Sequence, residues 1–211
     1  MLKDELLETK KLASTRLTEE VIKSYDQQIK ELKESSLLKM IPKVGDKLPS
    51  FSLINTLGET ISLDNFKHKG KSLVISFYRG GWCPYCNLEL RAYQNVLKEI
   101  HDRNAEFIAI SPELPDTSLS LTEKKALQFE VLSDIDNTYA KKLGLVFKLN
   151  ETVKKLYKES GKDFETTQGN DRYELPVPAT IVVNPMGEIV YIFADVDYKK
   201  RAEPAEVLTY L

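Results

Sequence analysis

The sequence predicts an α/β fold in which a central sheet is flanked by helices. Two runs, residues 73–78 and 179–183, are almost continuously apolar, as expected for strands that are covered on both faces. Segments with helical spacing alternate with further short apolar runs. The resulting order of strand, helix, strand, helix, hairpin and helix describes a sheet with helices on both faces.

Residues 1–40 predict a helical extension ahead of the main domain, which we place at residues 41–211. Val21, Tyr25, Ile29 and Leu32 recur at helical spacing among charged residues and form one apolar stripe. We expect this stripe to pack on the chain's own domain. The alternative is pairing with the same helix of a second copy, which would make a homodimer.

The main domain begins with a predicted β-hairpin, in which residues 51–54 and 60–63 flank a turn at Gly58. After the strand at 73–78, a helical pattern extends to about residue 103, and its predicted buried face is Leu88, Ala92, Val96 and Ile100. The remaining predicted elements are a strand at 107–111, a helix at 119–129, a strand at 131–132, helices at 137–143 and 151–160, a hairpin of 179–184 with 188–193, and a final helix starting near Pro204.

Composition restricts the class of protein. The chain has 211 residues, of which 42% are hydrophobic and 29% charged, so it can bury a core. Its 30 basic and 32 acidic residues give a net charge of −2, which argues against nucleic acid or an anionic membrane as the partner. The apolar runs are too short for a signal peptide or a membrane span, and we expect a cytoplasmic protein.

The cysteine count is the most informative number. The chain has two cysteines and two histidines, which excludes a disulfide-rich scaffold and a four-cysteine zinc site. A zinc site built on the cysteine pair would need two further ligands, and neither His68 nor His101 follows a zinc-ligand spacing. We therefore expect no metal and no cofactor.

Both cysteines lie in Trp82-Cys83-Pro84-Tyr85-Cys86, where a buried strand gives way to a helix. This position puts Cys83 near the N-cap, Pro84 at the first helical residue and Cys86 in the first turn. The two sulfurs then share one face and can close a disulfide. Free N–H groups and the positive end of the helix dipole lower the pKa of a thiol there. The pattern predicts dithiol–disulfide chemistry, with inert buried thiols as the alternative.

A second feature is Pro178, which leads into the predicted strand at 179–183. A cis bond before this proline would leave the backbone at Val177 free to pair with an extended thiol substrate. The alternative is an ordinary proline at the start of a strand.

The sequence resembles the AhpC/TSA-type peroxiredoxins of the thioredoxin-fold superfamily. The resemblance runs from Val44-Gly-Asp-Lys-Leu-Pro, through Phe77-Tyr78 and Cys86-Asn-Leu-Glu-Leu-Arg, to Val183-Asn-Pro-Met-Gly-Glu-Ile, and it is greatest to a bacterial branch with an RGGWCPYC-type motif. It implies a thioredoxin-like fold with an N-terminal hairpin. It also implies reduction of hydrogen peroxide or organic hydroperoxides, with recycling by thioredoxin or another thiol.

The active-site residues depart from the usual peroxiredoxin pattern, Pro-x-x-x-Thr-x-x-Cys. On that alignment Cys86 would attack the peroxide, Arg79 stands at the proline position, Cys83 at the threonine position, and Pro178 replaces a late arginine. Alignment with thioredoxins instead makes Cys83 the nucleophile. Because peroxide cleavage needs donors for the departing oxygen, we expect Arg79 to supply a cation beside the thiolate.

Three functions are compatible with these residues. The leading one is a thiol-dependent peroxidase in which Cys83 and Cys86 alternate between dithiol and disulfide. The second is a thioredoxin-like reductase of protein disulfides, and the third is a non-catalytic redox sensor. We take Arg79, Trp82, Pro84 and Pro178 as supporting residues. The basic run at 199–201 is interpreted as a solvated surface patch.

Overall fold

The computed structural model describes residues 1–118 and 126–211. Its helices are α1 (Leu2–Arg16), α2 (Glu19–Glu34), α3 (Leu63–Lys67), α4 (Pro84–Asn95), α5 (Leu97–Asp102), α6 (Thr138–Lys142), α7 (Glu151–Glu159), α8 (Phe164–Gln168) and α9 (Pro204–Val207). Its strands are β1 (Ser52–Asn55), β2 (Thr60–Ser62), β3 (Ser72–Phe77), β4 (Ala105–Ser111), β5 (Glu130–Ser133), β6 (Val146–Lys148), β7 (Glu174–Pro176), β8 (Ala179–Val183) and β9 (Ile189–Ala194).

The central sheet has seven strands in the order β2-β1-β5-β4-β3-β8-β9. Strands β3, β4 and β5 run parallel, and the remaining neighbours pair antiparallel. Because β3 is an interior strand covered on both sides, its residues alternate between two buried faces: Val74 packs with the α4 side, and Leu73 and Ile75 pack on the opposite side. The predicted α/β fold with an N-terminal hairpin is confirmed.

The helix after the cysteines differs from the sequence prediction. It breaks at Val96, where φ is −106° and ψ is 9°, and this separates α4 from α5. The prediction of its buried face was right for Ile100, which is fully buried, and wrong for Leu88, Ala92 and Val96, which are only half-buried. The buried face of α4 consists of Tyr85, Cys86, Glu89, Leu90 and Tyr93. The search for apolar residues at helical spacing missed this face because it includes the Glu89 carboxylate.

Residues 145–175 form more structure than the single helix predicted at 151–160. Besides the predicted α7, they contain α8 and a small antiparallel sheet of β6 with β7, in which Phe147 pairs with Leu175. They also bury an apolar cluster against the half-buried ring of Trp82; its members are Leu149, Val153, Tyr157, Phe164, Tyr173 and Leu175. The helix predicted at 119–129 lies mostly outside the described residues.

The first 34 residues form two helices. Leu2 and Leu6 of α1 are buried in the same cluster as Cys83 and Cys86. Thr18 is the N-cap of α2, and its hydroxyl accepts the N–H of Val21. Its predicted stripe faces the protein: the Tyr25 and Tyr157 rings lie 5.9 Å apart, centroid to centroid, beside α7. Within the described ranges, no helix combines the length and apolar character needed to cross a bilayer.

Candidate active site

The two cysteines occupy the positions that the sequence predicts at the start of α4. Cys83 is the N-cap, with extended backbone (φ −89°, ψ 113°), and Pro84 begins the helix with its ring exposed. Cys86 follows in the first turn. Both thiols are free and almost completely buried, at 1% and 0% exposure respectively.

The two sulfurs differ in acidity. Burial acts to raise the pKa of Cys83, but a hydrogen bond from the Cys86 thiol and the charges of Arg79 and Arg201 lower it to about 6. The N–H of Cys86 also donates to the Cys83 sulfur. Burial and the same shared hydrogen bond raise the pKa of Cys86 well above the ordinary range. At neutral pH the pair therefore holds a Cys83 thiolate and a Cys86 thiol.

Arg79 is buried beside this pair, with 2% of its surface exposed. Three aromatic faces replace water around its guanidinium, whose carbon lies 4.1 Å from the Tyr198 ring centre, 5.0 Å from that of Trp82 and 5.8 Å from that of Tyr157. One terminal nitrogen donates to the Tyr157 hydroxyl. Among the described residues, the Nε–H has no acceptor. Arg79 thus keeps a donor for a further group.

A second guanidinium, that of Arg201, reaches Cys86. Its Nη2 donates to the Cys86 sulfur at 3.3 Å, and its Nε donates to the Glu89 carboxylate at 2.6 Å. The other carboxylate oxygen of Glu89 accepts the Thr180 hydroxyl at 3.2 Å. The interpretation of residues 199–201 as a solvated patch was wrong for Arg201, whose side chain is 1% exposed, because Glu89 and carbonyl oxygens of its own loop hold the guanidinium inside.

Trp82 packs both against the cluster that contains the two cysteines and against the apolar cluster of residues 149–175. Its ring stacks on Phe164, with centroids 5.7 Å apart, and meets the edge of Tyr157 at 5.4 Å. Tyr85 meets Tyr198 edge to face at 5.7 Å. The site is therefore walled by aromatic rings, which exclude water and strengthen charge interactions within it.

The prediction for Pro178 was wrong in two respects. No peptide bond in the described parts of the chain is cis, so the bond before Pro178 is trans. The Val177 backbone is not free either, because its N–H donates to the Leu145 carbonyl at 2.6 Å. The small β6–β7 sheet fixes this segment before it enters β8. Pro178 itself is buried, next to the register pair of Ala179 with Phe77.

Glu89 and Arg201 are the site residues that the sequence analysis missed. Glu89 could have been found, because it follows Cys86 by three residues and so lies on the same helical face. Arg201 carries no local signal, since it follows two lysines in a loop 115 positions from Cys86. Among the residues that the structure describes, no group of three or more histidine, cysteine and carboxylate side chains is placed to hold a metal ion.

A mixed sheet flanked by helices, with a cysteine pair at the start of a helix, defines the thioredoxin-fold class. Within that class, the chain belongs to the AhpC/TSA family, whose model matches residues 44–192. It is similar to the putative peroxiredoxin bcp of Coxiella burnetii, with 32% identity over 113 residues that span 54% of this chain and 74% of the relative. It is also similar to the putative peroxiredoxin bcp of Buchnera aphidicola subsp. Schizaphis graminum, with 33% identity over 103 residues, 49% of this chain and 64% of the relative.

The match to the Buchnera protein thus covers less than two thirds of that protein. Solved structures agree on the fold. The peroxidoxin BcpB of Mycobacterium tuberculosis superposes with a TM-score of 0.62 at 19% identity, covering 80% of this chain and 95% of that one. A mutant of Xylella fastidiosa PrxQ gives 0.61 at 17% identity, covering 79% and 93%. The thioredoxin-like fold expected from the sequence is confirmed.

Proposed function

We propose that this protein is a thiol-dependent peroxidase that reduces hydrogen peroxide or organic hydroperoxides through a Cys83–Cys86 dithiol–disulfide cycle. The observation that carries the proposal is that two buried guanidinium groups act on the cysteine pair: Arg201 donates to the Cys86 sulfur, and the charges of Arg79 and Arg201 both lower the pKa of Cys83. The similarity to proteins named peroxiredoxin supports it.

In the proposed reaction, the Cys83 thiolate attacks one peroxide oxygen. A sulfur–oxygen bond forms, the oxygen–oxygen bond breaks, and the departing oxygen takes a proton and leaves as water or an alcohol. The free Nε–H of Arg79 is the donor for the charge that develops on the departing oxygen. Cys83 becomes a sulfenic acid, which condenses with Cys86 to a disulfide and releases water.

The other site residues have supporting roles in this proposal. Pro84 starts the helix without using an N–H, which leaves the free N–H groups directed at the Cys83 sulfur. Trp82 provides one of the aromatic faces over Arg79. Pro178 is buried immediately before β8 and has no part in binding an extended substrate.

The other two functions make different predictions. A reductase of protein disulfides pairs an extended substrate with the backbone beside its cysteines, but here the Val177 N–H already donates to the Leu145 carbonyl. A redox sensor would be oxidised stoichiometrically and would not turn over with a thiol reductant. The buried geometry favours a small peroxide as the oxidant.

We also propose that the disulfide is recycled by thioredoxin or another thiol, and that the protein works in the cytoplasm, where free thiols stay reduced. Residues 1–40 are proposed as a helical extension of the family domain at 41–211, because the family model begins only at residue 44. With α2 packed on α7, a homodimer would have to use another surface.

The test is stopped-flow oxidation of the reduced protein by hydrogen peroxide and by cumene hydroperoxide, followed by the fluorescence of Trp82, the single tryptophan. We expect oxidation at least about 100-fold faster than that of free cysteine at the same pH, the contribution of one well-placed donor. A rate equal to that of free cysteine would refute the peroxidase. Rapid reduction of insulin disulfides would support the reductase instead.

A further inference from the structure

Helix α2 and the loop at 195–201, which follows β9, both lie outside the residues that the family model matches, 44–192. The two segments nevertheless contact each other. Asp26 of α2 forms an ion pair with Lys199 of the loop, and the carboxylate oxygen and the ammonium nitrogen lie 3.0 Å apart. The contact therefore lies outside the part of the chain that the family model describes.

The loop at 195–201 carries two groups of the active site. The ring of Tyr198 covers the Arg79 guanidinium, whose carbon lies 4.1 Å from the ring centre. Arg201 donates to the Cys86 sulfur at 3.3 Å, and it also donates to the carbonyl of Tyr198. A displacement of this loop would therefore move the aromatic face over Arg79 and the donor on Cys86 together.

A second attachment joins α2 to the start of α7. Gln28 is a buried polar residue of α2, and its Oε1 accepts the N–H of Asn150 at 2.7 Å. Asn150 is the N-cap of α7, and its side-chain amide donates to the Glu31 carboxylate at 2.9 Å. Helix α7 carries Tyr157, whose hydroxyl accepts a hydrogen bond from Arg79. Helix α2 therefore fixes the start of the helix that provides the acceptor for Arg79.

Helix α2 also covers Arg79 closely. One cavity is lined by Arg79 together with Tyr25, Gln28 and Ile29 of α2, and its further walls include residues of α7 and of the loop after β9. The volume of this cavity is only about 10 Å³, roughly the space of a single water. Because so little space is left, the position of α2 limits the positions that are open to the guanidinium.

We propose that α2 is a positioning element of the active site, which holds both guanidinium groups at the cysteine pair. Gln28 acts on Arg79 through α7. Asp26 acts on Arg201 through the loop at 195–201. The inference rests on the proposed peroxidase reaction, because it assigns to α2 the placement of the donors that this reaction uses. Gln28 and Asp26 are positioning residues, since they act through other elements and not on the reacting atoms.

The two attachments predict effects on different steps. Arg79 is the donor proposed for the departing peroxide oxygen, so release of α7 should slow formation of the sulfenic acid on Cys83. Arg201 places a positive charge at the Cys86 sulfur, so release of the loop should slow closing of the disulfide. Because Tyr198 of the same loop covers Arg79, release of the loop should slow the first step as well.

The first test is Gln28→Met, which keeps a side chain of similar length but offers no oxygen to the Asn150 N–H. Rapid quenching and mass spectrometry after a hydrogen peroxide pulse separate formation of the sulfenic acid from closing of the disulfide. We expect the first step to be about tenfold slower, since a misplacement of about 1 Å can cost up to about 100-fold in rate. The matched control is Gln27→Met, the same change at the adjacent exposed residue, which should react as wild type. Equal rates in the two variants would overturn the role of Gln28.

The second test is a double-mutant cycle on the ion pair. Asp26→Asn should slow both steps about threefold, on the scale of a partly exposed ion pair. In a Lys199→Met background the same change should have no further effect, because the partner is already absent. The control Glu20→Gln changes another exposed carboxylate of α2 and should react as wild type. Asp26→Asn that slows the reaction equally in both backgrounds would overturn the attachment.

A readout that needs no peroxide separates this inference from the proposed function. The pH dependence of Cys83 alkylation by iodoacetamide reports the charge of Arg79 on the thiolate. Gln28→Met should raise the pKa of Cys83 relative to Gln27→Met, in the direction expected when an opposite charge moves away. A variant that is merely less stable would keep the wild-type midpoint, so an unchanged midpoint would overturn the link between α2 and Arg79. Wild-type protein that peroxide oxidises no faster than free cysteine would count against the peroxidase, while this titration would still test α2.

Discussion

Arg79 and Arg201 show how a site can bury two cations next to two thiols. Removing a guanidinium from water is costly unless other groups replace its hydration. Aromatic faces do this for Arg79, whereas the Glu89 carboxylate and loop carbonyls do it for Arg201. Each cation keeps one further N–H. That of Arg201 donates to the Cys86 sulfur, and the Nε–H of Arg79 has no acceptor among the described residues.

We predict that Arg79→Met raises the pKa of Cys83 by about one unit, the lower range for loss of an adjacent opposite charge. The measurement is the pH dependence of alkylation by iodoacetamide in a Cys86→Ser background, where serine retains a donor to Cys83. Because the wild-type pKa is about 6, the thiolate disappears as the pH falls through that value. In the variant this loss should begin at higher pH.

The control is Arg91→Met, which removes an exposed arginine from α4. It should leave the Cys83 titration unchanged. If Arg79→Met and Arg91→Met titrate alike, Arg79 does not stabilise the thiolate.

A second residue-scale prediction concerns Arg201. Arg201→Met leaves the Glu89 carboxylate buried without its cation, so we expect a loss of about 3 kcal/mol in the free energy of unfolding. The double change Glu89→Gln with Arg201→Met should recover a large part of it, because it removes both charges. Urea denaturation of the wild-type protein and the two variants measures this, and equal losses in the single and double variants would contradict the ion pair's role.

At this scale, the sequence predicted what local geometry determines. Cys83, Pro84 and Cys86 lie where helix-start chemistry places them. Arg201 could not be predicted, because it follows two lysines in a loop and only the folded chain brings it to Cys86. The occupied Val177 N–H could not be predicted for the same reason, since the Leu145 carbonyl that accepts it lies just before β6.

At the scale of elements, the N-terminal helices belong to the packed structure around the site. Leu2 and Leu6 of α1 share the cluster that contains both cysteines and Tyr93. Helix α2 contacts the loop that carries Arg201. The contact is an ion pair at 3.0 Å between Asp26 of α2 and Lys199, two residues before Arg201. Sequence periodicity found the stripe on α2, but not which element covers it.

We predict that Leu6→Ala lowers the free energy of unfolding by about 2–4 kcal/mol, because it leaves a cavity against α4. The matched control is Leu7→Ala, since Leu6 is 7% exposed and the adjacent Leu7 is 51% exposed. The control should change stability by no more than about 0.5 kcal/mol. Chemical denaturation measures both, and two equally small losses would mean that α1 is not part of the cooperative unit.

At the scale of the whole molecule, the pattern of apolar residues along the sequence was enough to predict the fold class. Almost continuously apolar runs marked β3 and β8, which are neighbouring interior strands of the sheet. The structure of residues 145–175 was harder to predict, because their apolar residues are spread among lysines. These residues form a common face only when α7, α8 and the β6–β7 pair assemble against Trp82.

The central claim is that Cys83 is the sulfur that attacks peroxide and Cys86 the one that closes the disulfide. The most direct test is trapping of the sulfenic acid with dimedone in Cys83→Ser and Cys86→Ser after one equivalent of hydrogen peroxide, read by mass spectrometry. We expect the adduct in Cys86→Ser, which retains the acidic Cys83, and none in Cys83→Ser. An adduct on Cys86 in Cys83→Ser, with none in Cys86→Ser, would contradict the assignment.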